Sequence, residues 1–321
     1  MDLSVLLSTH NRAALLAETL EHFCRQEGLD GVRWEVLAVD NGSTDETPDV
    51  LARFAQRLPL VALREPKPSK CLALNGALEI ARGELLVFTD DDVEPEPHWL
   101  ANFLAAYRRW PDHVVFGGPI VPRYPPEMPG WMRKLADEQP AYASPAFGRL
   151  VLEQAEGPMD VLPFGPNFAV RAQAMAGQRF RLDIGPEGGE YSMGEDTDIL
   201  LRLTQGKSPP VYVPAAVVGH VVRADQVQVP ALLWRAYCHG RGSLRIFTDT
   251  LGLPLPSLWR NRLQLLLARV LYPFAWLRGP AARLLAGAEV QYMRGFLFEY
   301  HRAAARRAAA GRAQHDPGNR A

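Results

Sequence analysis

Short apolar runs alternate with helical spacings over the first 120 residues of this chain, a rhythm that predicts βαβ units and a mostly parallel sheet. Leu3 to Ser8, Trp34 to Asp40, Leu60 to Arg64, Glu84 to Thr89 and Val114 to Gly117 read as strands. Thr47-Pro48 reads as an N-cap followed by proline at the first helical position, with Leu51, Phe54, Ala55 and Leu58 on one helix face. Leu100, Phe103, Leu104 and Tyr107 repeat that spacing. Open α/β sheets bind ligands beyond the carboxyl ends of their strands. Three of those ends are unusually polar: Ser8-Thr9-His10-Asn11-Arg12, Asp40-Asn41-Gly42-Ser43-Thr44-Asp45, and Asp90-Asp91-Asp92.

From Pro119 to Pro145 the chain is rich in proline, with Trp131 and Met132 inside, which predicts an irregular segment carrying one short helix. Loops of such length often act as lids or acceptor sites. Phe168 to Val170 and Val211 to His220 read as further strands, with a helix from about Glu195 to Thr204 between them. After about Asp225 the pattern is helical to Gly311. Leu263 to Leu277 is strongly apolar there, broken by Arg269 and Pro273. The expected organisation is an α/β domain over residues 1–225 and a helical extension over 226–321.

Composition, at 47% hydrophobic and 22% charged over 321 residues, suits a globular protein with a sizeable core. The formal charge of −1 conceals an asymmetry: from Pro256 onward eleven arginines face Glu289, Glu299 and Asp316, a balance of +8 that leaves −9 for the first 255 residues. An acidic body argues against general nucleic-acid binding, while the basic, apolar tail is a candidate for a membrane surface or a partner. No stretch reaches the roughly 18 uninterrupted apolar residues of a spanning helix. Cys24, Cys71 and Cys238 show no metal or redox spacing, and the start of the chain does not resemble a secretory signal. A cytoplasmic setting, at most peripheral at the inner membrane face, is the expectation. The Asn41-Gly42-Ser43 sequon would then be irrelevant.

Three adjacent carboxylates after the apolar strand Leu85-Leu86-Val87-Phe88 repel one another unless a cation or solvent compensates them. Mg²⁺ or Mn²⁺ with a diphosphate supplies that compensation, because hard cations take carboxylate and phosphate oxygens alike. A solvated acidic turn is the alternative. Asp90 orients the loop or joins Asp92 at the metal, with Asp91 beside them. Asp40, at the end of its strand, could accept a hydrogen bond from a nucleobase edge, or serve turn chemistry alone. Lys67 and Lys70 could counter phosphate near a helix start. Gly194-Glu195-Asp196 opens a helix whose dipole favours carboxylates in the first turn and keeps an acid ionised for use as a base. Asp198 lies four residues before Arg202 and reads as a helical ion pair. His220 is a candidate third metal ligand, although a histidine after a strand is more often structural. Arg223, Arg241 and Arg245 are weaker phosphate candidates. Trp99, Trp131 and Trp234 could stack on sugars or lie in the core. Gly206-Lys207-Ser208 imitates the end of a P-loop, but Leu201 stands where its leading glycine belongs, and no GxGxxG follows the first strand.

Taken in order, seven segments resemble family-2 glycosyltransferases of the GT-A fold: residues 4–12, 39–45, 70–75, 81–84, the triple Asp at 90–92, Gly165-Pro166-Asn167 and Gly194-Glu195-Asp196. The resemblance spans about Leu3 to Arg223 and implies a GT-A, Rossmann-like, mostly parallel sheet flanked by helices. It implies a nucleotide-sugar donor, often UDP-linked, its diphosphate held by a divalent metal at the Asp-x-Asp motif. By position, Thr9, Asn11, Arg12 and Asp40 would line the nucleotide, with Asn41, Lys70, Asn75, Asp90 and Asp91 around the donor. Asp92 would hold the metal, and Asp196, beside Glu195, would deprotonate the acceptor hydroxyl for inverting attack. The acceptor could be a glycan, a lipid-linked sugar or another hydroxyl. His10 and Leu74 depart from the residues commoner in the family. The rival readings are a sugar nucleotidyltransferase, a retaining enzyme, and a catalytically silent sugar-nucleotide-binding subunit.

Overall fold

The computed structural model describes residues 1–187, 190–205 and 208–314. Gly206 and Lys207 of the P-loop-like stretch, and residues 315–321 of the tail, lie outside the described residues. The chain divides into two compact units, Met1–Tyr191 with Glu195–Val227, and Ser192–Gly194 with the chain from Gln228 onward.

In the first unit the main sheet runs in the order β3 (Leu60–Arg64), β2 (Trp34–Asp40), β1 (Leu3–Thr9), β4 (Leu85–Phe88), β9 (Phe168–Arg171), β6 (Val115–Gly117), β12 (Val211–Tyr212), β8 (Gly157–Pro158). The β1–β2, β1–β4, β2–β3 and β6–β12 pairs are parallel, whereas β9 and β8 run antiparallel to their neighbours. Cover on both faces explains why residues 5–7, 36–39 and 85–88 are apolar at every position. Leu3, Val5 and Leu7, with Val36, Ala38, Leu85 and Val87, feed one core, and the intervening Leu6, Leu37, Val39, Leu86 and Phe88 feed another. Both faces of a parallel sheet are covered by crossover helices, so neither set of side chains can be polar.

The first core packs against α1 (Ala13–Cys24), α2 (Thr47–Phe54) and α4 (Trp99–Arg109), the second against α3 (Lys70–Ile80) and α8 (Glu195–Thr204). Thr47 is the first residue of α2 and not its cap. The Asp45 carboxylate accepts the Thr47 N–H at 3.1 Å and closes the turn earlier than the Thr-Pro pattern predicts.

Two local expectations differ from the structure. The segment after Pro119 forms strand β7 (Ile120–Arg123) and two short helices, α5 (Gly130–Glu138) and α6 (Pro140–Phe147). The run from Val211 to His220 is two strands, because the chain leaves the main sheet at Val213-Pro214, where proline lacks the N–H to continue a ladder. The second piece, β13 (Val218–Val221), lies between β5 (Val93–Pro95) and β7 in a separate three-stranded sheet. A short α7 (Ala172–Met175) and the strands β10 (Gly185–Glu187) and β11 (Glu190–Ser192) complete the described α/β elements.

The second unit consists of α9 (Val229–Arg245) with a π-helical turn over Ile246–Thr250, then α10 (Leu258–Ala275) and α11 (Pro280–Gln314). Glu299 is fully buried there beside Arg241 at 3.3 Å, Arg245 at 2.9 Å and Arg306 at 3.4 Å. Arg241 and Arg245 are therefore engaged in the helical core. No described helix is long and apolar enough to cross a membrane.

Candidate active site

The ends of β1 and β2 are tied together before any ligand is considered. Asn11 sits at φ 51°, a left-handed conformation that asparagine tolerates better than most residues. Its side-chain carbonyl accepts the Thr44 N–H at 2.7 Å, while its own N–H donates to Ser43 Oγ at 3.0 Å. Asp40 is buried, and its Oδ1 accepts the Ser43 N–H at 2.9 Å. Asn41 Oδ1 accepts the Ser69 N–H at 3.1 Å and so fixes the start of α3. Asp45 serves two helices at once, accepting from Ala13 N–H at the start of α1 and from Thr47 N–H at the start of α2, both at 3.1 Å. Burial works to raise the Asp45 pKa, but these hydrogen bonds prevail and hold it below the ordinary carboxylate range. Beside these loops lies a cavity of about 530 Å³ lined in part by His10, Asn11, Arg12, Asp45, Glu46 and Arg223.

The three aspartates divide between two neighbourhoods. Arg12, projecting from the start of α1, donates to Asp91 Oδ1 at 2.7 Å and to Asp92 Oδ2 at 3.2 Å. Burial disfavours the Arg12 charge, yet Asp91 and Asp92 hold its pKa above the ordinary value. Burial raises the pKa of Asp91 in spite of Arg12, and the neighbouring Asp92 charge adds to the rise. Asp90 turns the other way, and its Oδ1 accepts from Lys70 Nζ at 2.8 Å. Here burial is overcome by the ammonium, and the Asp90 pKa lies below the ordinary value. The small sheet holds this geometry: Val221 N–H donates to Asp92 O at 2.9 Å, and His220 stands opposite Val93 in register.

Lys70 links the triple Asp to α8. Its Nζ lies 3.6 Å from Glu195 Oε1, and burial, which opposes its charge, is outweighed by Asp196, Asp90 and Glu195 together. Asp196 is pushed up to about 7, first by burial and then by the charges of Glu195 and Asp90, while Lys70 and the Gly165 N–H pull the other way. Gly165 allows that approach. A Cβ there would stand 2.3 Å from Asp196 Oδ2, inside any permitted contact.

Other candidates have structural tasks. Asn75 spends both ends of its amide on Phe180, donating to its carbonyl at 2.9 Å and accepting its N–H at 2.8 Å. These two bonds tie α3 to the loop at Phe180. Lys67 is exposed, and Lys70 reaches Asp90. Trp99 is buried and donates to Asn167 Oδ1 at 2.8 Å, and Asn167 Nδ2 donates to Pro119 O and Ala216 O. Trp131 is half-buried and Trp234 exposed. Asp198, fully buried, pairs with Arg202 at 2.8 Å as its spacing predicts.

Residues 4–172 match the family model described as Glycosyl transferase family 2. The chain belongs to that family. Succinoglycan biosynthesis protein ExoM of Rhizobium meliloti (strain 1021) is 25% identical over 238 residues, 73% of this chain and 72% of that protein. Validoxylamine A glucosyltransferase of Streptomyces hygroscopicus subsp. jinggangensis (strain 5008) is 38% identical over 119 residues, 36% of this chain and 28% of that enzyme. Among solved structures, mannosyltransferase PcManGT from Pyrobaculum calidifontis, in complex with GDP-Man and Mn²⁺, is similar at TM-score 0.55 and 19% identity, covering 98% of this chain and 81% of that one. S. aureus TarS 1–349 in complex with UDP-GlcNAc is similar at TM-score 0.54 and 15% identity, covering 95% and 92%. These structural likenesses establish the GT-A fold.

Within this glycosyltransferase, sequence reasoning undervalued Arg223, whose Nη1 lies 3.6 Å from Asp92 Oδ2. It also had no access to the Phe147 carbonyl, which orients His220 by accepting from Nδ1 at 2.9 Å. That contact leaves Nε2 of a neutral His220 as an acceptor, 3.5 Å from Asp92 Oδ1. Asp92 Oδ1 is itself buried without a hydrogen-bond donor among the described residues. Two facing acceptors repel unless a proton or a cation lies between them, and a histidine whose other nitrogen donates to a carbonyl is a usual metal ligand. Among the described residues no group of three or more His, Cys, Asp or Glu side chains converges as a metal cluster. Asp90 does not complete one with Asp92 and His220, because it faces Lys70 instead.

Proposed function

We propose that this glycosyltransferase moves a sugar from a nucleoside diphosphate donor, UDP-linked by preference, to an acceptor hydroxyl in a single inverting displacement. The observation that carries this reading is Asp196 standing with Lys70 and Asp90 at the strand ends, a carboxylate pushed up to about 7. A base of that strength exists in its ionised form near neutral pH and still binds a proton usefully. The family membership and the neighbours bound to GDP-Man and UDP-GlcNAc support the donor class. The cavity at Asn11, Arg12 and Asp45 falls within the volume range of small-ligand sites.

In this mechanism Asp196 takes the proton of the acceptor hydroxyl while that oxygen forms a bond to the anomeric carbon. The bond from that carbon to the diphosphate breaks on the opposite face, and the nucleoside diphosphate leaves with the electron pair. Lys70 screens the repulsion between Asp196 and Asp90 and positions both, and Arg12 and Arg223 bring positive charge to the diphosphate side. Asp92 and His220 fit a divalent cation, by the donor set and the buried Oδ1 described above. When bound, Mn²⁺ or Mg²⁺ supplies charge neutralisation for the departing diphosphate.

The test is donor binding across a panel of nucleotide sugars with Mn²⁺, Mg²⁺ or EDTA, for wild type, Asp92→Ala and Asp196→Asn. The expected result is metal-dependent binding of one donor, lost in Asp92→Ala, with Asp196→Asn binding normally but not turning over. Turnover surviving in Asp196→Asn would exclude that residue as the base, and absence of donor binding under all conditions would overturn the reading as a whole.

A further inference from the structure

Helix α10 carries two apolar faces, and among the described residues only one has a partner within its unit. Leu258, Asn261, Leu265, Ala268, Tyr272 and Ala275 recur every three or four positions and are turned away from solvent, on the side packed against α11. At 100° per residue the opposite side carries Trp259, Leu263, Leu266, Val270 and Phe274, and Leu277 follows in the 3₁₀ turn Trp276–Arg278. Those side chains are exposed, from 43% at Leu263 to 85% at Leu277. Leu267 and Leu271 widen the stripe, each more than half exposed. Soluble proteins rarely present so continuous an apolar surface to water.

The charges around the stripe say what covers it. Helical geometry sets Arg262 and Arg269 along one border and Arg260 along the other, and Arg278 follows in the turn after α10. No Asp or Glu occurs between Asp249 and Glu289, and none of these four arginines enters an ion pair among the described residues. A second copy of α10 laid face to face would bring two sets of arginines together with no carboxylate to offset them. A surface of lipid phosphates over acyl chains satisfies both features at once. Crossing the bilayer is not an option for α10, since no described helix is long and apolar enough.

We propose that α10 is an interfacial helix that seats this protein on an anionic phospholipid bilayer, with its outer stripe at the headgroup–acyl boundary and its bordering arginines on lipid phosphates. The inference is independent of the sugar-transfer reading.

The experiment is flotation of the full chain with phosphatidylcholine vesicles, with and without phosphatidylglycerol, at low and high salt. The wild type should float with the anionic vesicles and lose most binding at high salt. Arg262→Gln with Arg269→Gln should weaken partitioning roughly 25-fold, about five-fold per arginine at the surface. Leu266→Glu with Val270→Glu should abolish flotation while the melting temperature stays near wild type, because both side chains already face solvent. A check that leaves the stripe apolar uses Trp259→Phe, which should diminish the blue shift of tryptophan emission on adding anionic vesicles. No flotation of the wild type, equal flotation of all variants, or an undiminished blue shift would overturn the proposal. So would a stable dimer that Leu266→Glu with Val270→Glu converts to a monomer.

Discussion

Asp196→Asn should make the protein more stable while removing its turnover. The Asp196 carboxyl, ordinarily ionising at 3.8, is pushed up to about 7 by its burial and by Glu195 and Asp90. A tenfold change in proton affinity is worth about 1.4 kcal/mol, so keeping this group ionised costs the fold up to about 4 kcal/mol. The sign follows from which state binds the proton more tightly. Below about pH 4 the carboxyl is protonated in both states and costs nothing. Between about pH 4 and 7 the unfolded chain ionises freely while the folded one resists, so the cost grows, and above that it is constant. Asparagine keeps the shape and an acceptor for the Gly165 N–H without the charge. Its stability advantage should therefore widen by about 2 kcal/mol between about pH 5.5 and pH 8, a shift of a few degrees in melting temperature. Paired thermal melts of the two proteins across that range measure it. An advantage that does not change with pH, or an asparagine variant less stable at pH 8, would refute the account of Asp196 as a carboxylate held against its own ionisation.

Lys70→Met should destabilise the α/β unit by about 3–5 kcal/mol at neutral pH, because Asp90, Glu195 and Asp196 lose their shared cation. Denaturant titrations should show that deficit shrinking as pH falls and the carboxylates protonate. Gly165→Ala should lower kcat by about a hundredfold or more with little change in donor affinity, since a Cβ at 2.3 Å displaces Asp196 Oδ2. Steady-state kinetics beside isothermal titration separate the two effects. Glu299→Gln should cost about 3–5 kcal/mol in the helical unit, because it removes the buried carboxylate that pairs with Arg241 and Arg245. Helical circular dichroism on heating would report that loss.

The period of two in the strands and of 3.6 in the helices made most of the α/β unit legible in the sequence. Trp34–Asp40, Leu60–Arg64 and Glu195–Thr204 coincide with their expected bounds. What determines such segments is local: an apolar run needs cover on both faces, and an acidic first turn suits a helix N-terminus. The motifs at Thr9 to Arg12, Asp40 to Asp45 and Asp90 to Asp92 identified the strand ends where polar chemistry gathers. Their division of labour depended on partners far away in sequence. Asp90 and Asp92 are two residues apart yet face different cations, because Lys70 reaches one side of the loop and Arg12 the other. Asn75 also clamps the backbone of Phe180, a pairing that depends on which backbone the fold brings to its amide. His220 was visible as a candidate, but its usable nitrogen is set by the Phe147 carbonyl, 73 residues away. The sequence by itself determined the α/β class, the polar strand ends and the basic, apolar tail, all of which follow from neighbouring side chains. Only the tertiary structure decided which carboxylates are buried and which cations they face, and which face of α10 is left to solvent, because burial and long-range charge exist only once distant segments are packed together.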